Sequence, residues 1–280
     1  MPASSRKVSP PFVIVMGPPA SGKSTLVREI LSDNPELDRF RVSHQIVEEK
    51  RNGTDLWQAV RASAEQRSWI PDAIVMEMFA RRLRRRAAAM LLEGLPANGT
   101  QAVRVRELLD AHGVPARLIL YLDAPDQVCA ARVAGRRVCH RCDDGMAPTW
   151  PDPAAPDRCG ACGGLSARRE DDTAAAFTER LRIHRRNTPA VLAAFRPDEI
   201  VVLDATRAPA AIAAAARAAL RCPPVMASGG EPANAVQQPL CDGPGRRVSD
   251  VIDPEVDGEA MPLREVAGET QIRLAGEGRG

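Results

Sequence analysis

The sequence predicts a three-layer α/β/α fold on a five-stranded parallel sheet, and three observations predict it. Five short strand candidates, at 12–16, 40–43, 89–93, 117–122 and 199–203, are separated by segments of helical periodicity. The first of them, Phe12-Val13-Ile14-Val15-Met16, is continuously apolar, as a strand buried on both faces must be. Apolar residues make up 44% of 280 residues, enough for a sizeable core, while aromatics at 3% leave that core to Val, Ile, Leu and Ala.

In chain order, residues 1–11 are polar and proline-bounded and read as a flexible arm. The strand at 12–16 leads through a glycine loop into a helix over about 22–31. A strand at Phe40–Ser43 follows, then helices over about 55–66 and 72–87, and a strand at Ala89–Glu93. A helix at 100–112, a strand at Arg117–Leu122 and a helix at 125–134 come next. Strands alternating with helices indicate a parallel sheet covered on both sides. Residues 135–169, rich in Cys, Gly, Pro and Asp, break the alternation and read as an insertion at one edge. Helices over 172–186 and 208–220 flank the last strand at Glu199–Leu203. Residues 222–280 carry ten acidic and five basic residues with no sustained periodicity, and read as a disordered tail.

A net charge of +2 supplies no drive toward nucleic acid or a membrane, and neither is expected as a partner. Of the 38 basic residues only Lys7, Lys23 and Lys50 are lysines. The absence of any apolar run near 18 residues, and of a signal-peptide pattern, predicts a soluble cytoplasmic protein. In a reducing compartment the seven cysteines are not expected to form disulfides as a set. Four of them follow a pattern, leaving Cys129, Cys222 and Cys241 as bystanders.

Gly17-Pro18-Pro19-Ala20-Ser21-Gly22-Lys23-Ser24 fits G-x-x-x-x-G-K-[ST] between a predicted strand and a predicted helix. Gly17 and Gly22 let the backbone curl its N–H groups toward phosphates, and the helix N-terminus adds its dipole. Lys23 would place a point charge on the β- and γ-phosphates, and Ser24 a hydroxyl on Mg²⁺. Glu93, ending a strand, stands where such enzymes hold the shell of that ion, although a solvated helix cap reads equally well.

Cys139-x₂-Cys142, sixteen residues, then Cys159-x₂-Cys162 is the spacing of a zinc knuckle. Two C-x-x-C turns let four thiolates converge tetrahedrally and leave no open coordination position, so the metal would be structural.

Together these residues resemble the adenylate kinases, a family of nucleoside-monophosphate kinases. The loop GPPASGKST resembles their GxPxSGKGT, and LEGLPANGTQA their D-G-F-P-R-T-x-x-Q-A. RVAGRRVCHRC resembles R-x-x-G-R-R-x-C-x-x-C, and REDDTAAAFTERLRIHRRNTPAV resembles R-x-D-D followed by R-L-x-x-Y-x-x-x-T-x-P. LDATR resembles D-G-T-K. The matches run in family order from about residue 12 to 210, with the cysteine spacing of zinc-bearing bacterial lids.

The resemblance implies a P-loop kinase core at 12–221 with an acceptor-binding insertion at about 42–73 and a lid at about 135–170. It implies catalysis by Lys23, Arg136, Arg169 and Arg180. It implies ATP·Mg²⁺ binding by Gly17, Ala20, Ser21, Gly22, Lys23, Ser24, Thr25, Glu93, Arg132 and Arg207. Acceptor binding falls to His44, Gly94, Gln101, Arg169 and Arg180, and structural Zn²⁺ binding to Cys139, Cys142, Cys159 and Cys162. Asp171 and Asp172 serve hinge and lid contacts, and His184, at a tyrosine position, is structural. Partners would be small-molecule nucleotides and the state a monomer. The run Arg81, Arg82, Arg84, Arg85, Arg86 reads as a solvated helix face.

Three departures bear on the acceptor. Ala97 replaces the arginine that grips the acceptor phosphate. SHQIVEEKR replaces T-G-D-x-L-R, with His44 at the threonine, either a packed histidine or an acceptor contact, and with Lys50 or Arg51 as candidate substitutes for the arginine. Ser24 and Glu93 replace glycine and aspartate conservatively. Three readings follow: an adenylate kinase with a rebuilt AMP clamp, a kinase of another nucleotide or phosphorylated metabolite, and an ATP-binding switch.

Overall fold

The computed structural model describes residues 12–67, 70–86, 89–114, 117–139, 141–142, 148–149, 151–152, 155–168 and 172–221. The expected arm and tail lie outside these, as do Arg169, Asp171, Cys222 and Cys241.

The chain runs β1 (Phe12–Met16), α1 (Lys23–Asp33), β2 (Asp38–Arg41), α2 (Val42–Asn52), α3 (Asp55–Arg67), α4 (Asp72–Arg86) and β3 (Met90–Glu93). It continues through α5 (Gly99–Ala111), β4 (Arg117–Asp123) and α6 (Asp126–Ala134) into an insertion of short strands: β5 (Arg137–Cys139), β6 (Pro148–Thr149), β7 (Pro151–Asp152), β8 (Ala155–Cys159) and β9 (Ser166–Ala167). It returns through α7 (Ala174–Leu192), β10 (Ile200–Asp204) and α8 (Pro209–Arg221).

Five strands form the expected parallel sheet in the order β10-β4-β1-β3-β2. Every residue of β1 is buried, and alternate residues feed two cores. Phe12, Ile14 and Met16 join Phe40, Phe79, Leu92 and Tyr121 on one face, while Val13 and Val15 join Leu26, Val27, Leu91 and Leu120 on the other. That alternation makes three layers. The insertion pairs antiparallel with itself, β5 between β6 and β9 and β7 with β8. No helix among the described residues is long and apolar enough to cross a membrane.

The structure differs from the sequence expectation at three places. The strand expected at Phe40–Ser43 is Asp38–Arg41, and the helix α2 begins at once. Its inner face, Val42, Gln45, Ile46 and Glu49, is half polar, which hid the helical period. Glu49 is accommodated by Thr54 Oγ1, which donates to its carboxylate at 2.5 Å, and by Gln45 Nε2 at 3.1 Å. The helix expected to end at 186 continues through Pro189 to Leu192, where Val191 and Leu192 enter the first core. That burial outweighs the lost N–H.

The arginine run on α4 is not uniformly solvated. Arg84 and Arg85 are exposed, but Arg82 Nε and Nη2 each donate to Asp38 at 2.6 Å, tying α4 to β2. Arg81 binds Asp55 through two 2.8 Å hydrogen bonds. Removing Arg82 leaves a partly buried carboxylate without its bidentate partner. Arg82→Ala should therefore lower unfolding free energy by about 1–3 kcal/mol, against about 0.5 or less for Arg84→Ala, as read by urea denaturation.

Candidate active site

The loop after β1 is shaped by close approach. Gly17 has φ 144°, and a Cβ there would lie 2.6 Å from the Leu122 carbonyl oxygen and 2.8 Å from Ser21 Oγ. Gly22, at φ 102°, caps α1 without a side-chain cap, and no acidic residue occupies the first turn. The leading N–H groups of α1 are thus directed at whatever anion fills the loop. Ser21, only 1% exposed, has no hydrogen-bond partner for its hydroxyl among the described residues.

Lys23 Nζ donates to the Gly17 and Pro18 carbonyls, both at 2.7 Å, so the ammonium is held against the loop itself. Burial pushes its pKa down to about 8; Glu93 opposes that shift, while Arg136 and Arg41 add to it.

Glu93 ends β3 at 4% exposure, where Ser24 Oγ donates to Oε1 at 2.5 Å. Arg39 Nε and Nη2 donate to Oε2 at 3.0 and 2.5 Å. Burial alone would raise this carboxyl. The charges of Arg41 and Arg39 and the Ser24 hydrogen bond outweigh it and hold the group below its ordinary value, hence ionised. An ionised carboxylate touching a hydroxyl at the loop's end is an oxygen donor set that suits Mg²⁺.

The segments that flank the insertion contribute arginines. Arg132 bridges the loop to β10, donating to Ser21 O at 3.3 Å and Ala205 O at 2.7 Å. Asp172, 2% exposed in its side chain, gathers two more: Arg136 through Nε at 2.7 Å and through Nη2, and Arg180 at 2.8 Å. Arg136 immediately precedes the insertion and Arg180 lies on α7, so one carboxylate joins the segments on either side of the insertion. Arg207 is exposed beyond β10.

Within the insertion the sulfurs of Cys139, Cys142, Cys159 and Cys162 all lie within 4.8 Å of one another. Cys162 Sγ is 3.4 Å from both Cys139 and Cys142. Tetrahedral Zn–S bonds of 2.3 Å would set the sulfurs about 3.8 Å apart, so the set fits. Arg141 N donates to Cys139 Sγ at 3.3 Å, and Gly163 N to Cys159 O at 2.8 Å, the two turns that aim the thiols inward. Hydrogen bonding to Cys162 and Cys139, with burial, drives the Cys142 thiol up to about 12, because crowded thiols resist further deprotonation without a cation between them.

The sequence matches the adenylate kinase family over residues 15–200. The chain belongs to that family. Among curated relatives it is 28% identical to the adenylate kinase of Pyrococcus furiosus over 190 residues, covering 68% of this chain and 86% of the relative. It is 30% identical to that of Streptomyces griseus over 193 residues, covering 68% and 88%. To that of Methanosarcina barkeri it is 27% identical over 198 residues, covering 70% and 91%.

The residues expected to bind the acceptor sit in a network around Asp72. Gln101 is 0% exposed; its Nε2 donates to Asp72 at 2.5 Å and its Oε1 accepts from Ala97 N at 2.8 Å. Asn98 Nδ2 also donates to Asp72, at 2.9 Å, and caps α5 through Gln101 N. Asn187 Nδ2 donates to the Ala97 carbonyl at 3.1 Å. Gly94, at φ 75°, turns the chain out of β3, and His44 is half-buried in the first turn of α2. His184 is half-buried, its ring stacked on Tyr121 at 6.4 Å and 6° from parallel; burial, with Lys23 and Arg185 nearby, pushes its pKa down to about 3.

The structure thus brings together the loop 17–25, Glu93, Arg132, Arg136 and Arg180. It leaves Arg207 outside that group, and Gln101 engaged with Asp72. Arg39 and Arg41 were missed by motif reading. Their signal was positional: two arginines two apart share one strand face, beside the strand that ends in Glu93.

Two outcomes follow for this site. Cys159→Ser should lose bound metal, measured by elemental analysis, and lower the melting temperature before it lowers activity. ATP binding should weaken as pH rises above about 8, where free Lys23 loses its proton, and should take up protons there because the phosphates restore the charge. Calorimetry in two buffers of different ionisation enthalpy reads that uptake, and a pH-independent affinity from 7 to 9 would contradict it.

Proposed function

We propose that this chain transfers the γ-phosphoryl group of ATP to a nucleoside monophosphate, with AMP the first acceptor to test. The observation that carries the reading is the convergence of Lys23, ionised Glu93 beside Ser24, and the Arg136–Asp172–Arg180 cluster at the mouth of one phosphate loop.

An acceptor phosphate oxygen attacks the γ-phosphorus in line. The bond from the γ-phosphorus to the bridging oxygen breaks, and ADP leaves carrying that oxygen. Little covalent help is needed; alignment and neutralisation of spreading negative charge are. Loop amides from Gly17 to Thr25 hold the β-phosphate and Lys23 spans β and γ. Arg136, Arg169 and Arg180 meet the transferring group, their planar guanidinium forks suited to its oxygens. Arg132 and Arg207 take the donor nucleotide, while His44, Gly94 and Gln101 lie on the acceptor's side. Ser24 and Glu93 would hold Mg²⁺, which neutralises charge on the β- and γ-phosphates when bound. Cys139, Cys142, Cys159 and Cys162 would hold Zn²⁺, stapling a lid too small for its own core. Asp172 keeps the arginines parked until substrate phosphates compete for them.

A second reading, a kinase of a different phosphorylated acceptor, is favoured by Ala97 at the family's arginine and by the Gln101 amide being bound to Asp72.

Lys23→Met should cost transfer about a hundredfold or more, as loss of one transition-state donor does. Retained full activity would sink the mechanism. Assay of ADP release with ATP·Mg²⁺ and AMP, CMP, UMP, GMP or dAMP separates the two readings: turnover of AMP supports the first, and silence across the panel with ATP still bound rejects it.

A further inference from the structure

Resting on that reading, we infer that Arg41 holds the acceptor's phosphate, taking over the role of the arginine that Ala97 has replaced. The ligand it selects is a phosphorylated acceptor, recognised by its phosphate rather than by its base.

Position is the first argument. Arg41 is paired in register with Glu93, and Glu93 with Val15 of β1. Neighbouring strands lie about 4.8 Å apart, so the Arg41 backbone stands about 10 Å from that of β1, level with the start of the loop. Residues paired in a parallel ladder share a face, so Arg41 and Glu93 point the same way. Arg39, two residues earlier on the same strand face, confirms the direction by reaching the Glu93 carboxylate.

Electrostatics agree with the geometry. The Arg41 charge acts on Glu93 and on Lys23, and Lys23 also feels Arg136 on its other flank. Arg41 and Arg136 therefore bracket the loop lysine from opposite flanks of the sheet, β2 at one edge and the lid's root after β4 and α6 at the other. A phosphoryl group passing between two nucleotides needs positive charge on both sides of that lysine.

Local structure adds donors. Arg41 is the N-cap of α2, which has no side-chain cap and no acidic residue in its first turn. Ser43, in that turn, has a buried hydroxyl without a hydrogen-bond partner among the described residues. A phosphate beside Arg41 would meet guanidinium, hydroxyl and helix amides together.

Lys50 and Arg51, the substitutes the sequence suggested, are displaced by this placement. They end α2 nine and ten residues beyond Arg41, about 14 Å along the helix, and Lys50 sits over the Trp57 ring at 5.4 Å.

The test is steady-state kinetics on the full chain, varying AMP at saturating ATP and ATP at saturating AMP. Arg41→Ala should lower kcat/KM for AMP about ten- to a hundredfold, the weight of one charge-assisted phosphate contact, with KM for ATP within about twofold. Arg41→Lys should recover part of the loss. Arg41→Gln, longer and polar, provides the reading should the alanine variant melt early. An unchanged kcat/KM for AMP, or equal loss toward ATP and AMP, overturns the clamp, since a residue acting through Glu93 would weaken ATP as well. Selective loss in Arg51→Ala rather than Arg41→Ala overturns it too. Wild-type protein that neither turns over nor binds any monophosphate in the panel overturns the transferase reading and the clamp with it, whereas active wild type with an unaffected Arg41→Ala overturns the clamp alone.

Discussion

A carboxylate buried at the end of a strand, and required to stay charged, is the constraint on which this site depends. Glu93 is nearly inaccessible, and an unpaired carboxylate in such a place would take up a proton rather than remain an anion. It stays ionised because Arg39 grips one oxygen, Ser24 donates to the other and Arg41 adds its field. Each of those partners is placed by a different element: Ser24 by α1, the arginines by β2, Glu93 by β3. The parallel order β1-β3-β2 is what brings the three to one level. The same anion offsets part of the desolvation of Lys23, so the charge of the loop depends on a residue from outside it.

A second carboxylate plays the matching part beside the insertion. Asp172 is buried between Arg136 and Arg180, one guanidinium from each end of the insertion. Removing both arginines would strand a buried charge, so the shared carboxylate holds α7 against the segment that enters the insertion. Between them the described strands are only two to five residues long, and the four cysteine sulfurs converge within 4.8 Å of one another.

Most of the sheet was legible in the sequence because buried parallel strands are continuous apolar runs, and β1, β3 and β4 are that. The phosphate loop and the cysteine quartet were legible because their chemistry fixes spacing along the chain. What escaped had polar faces in buried places. Glu49 and Gln45 disguised α2, and α7 runs past its expected end at 186 through Pro189 because Val191 and Leu192 are buried. Arg39 and Arg41 were unreadable as site residues because their meaning lies in strand register, which a one-dimensional motif does not carry. Gln101 matched its family motif, yet only the fold shows its amide bound to Asp72.

The contact that excludes a side chain at Gly17 has a consequence for timing. The space where a Cβ would stand is already filled by the Leu122 carbonyl of the neighbouring strand and by Ser21. The loop therefore rests against a finished β-strand, and its curl is set when the sheet forms, before any nucleotide arrives. Ordering each of its residues opposes folding by about 1–2 kcal/mol of backbone entropy, and that cost falls on the folding of the whole domain. An arriving phosphate meets donors already aimed, and little of its binding free energy is diverted into shaping the receptor.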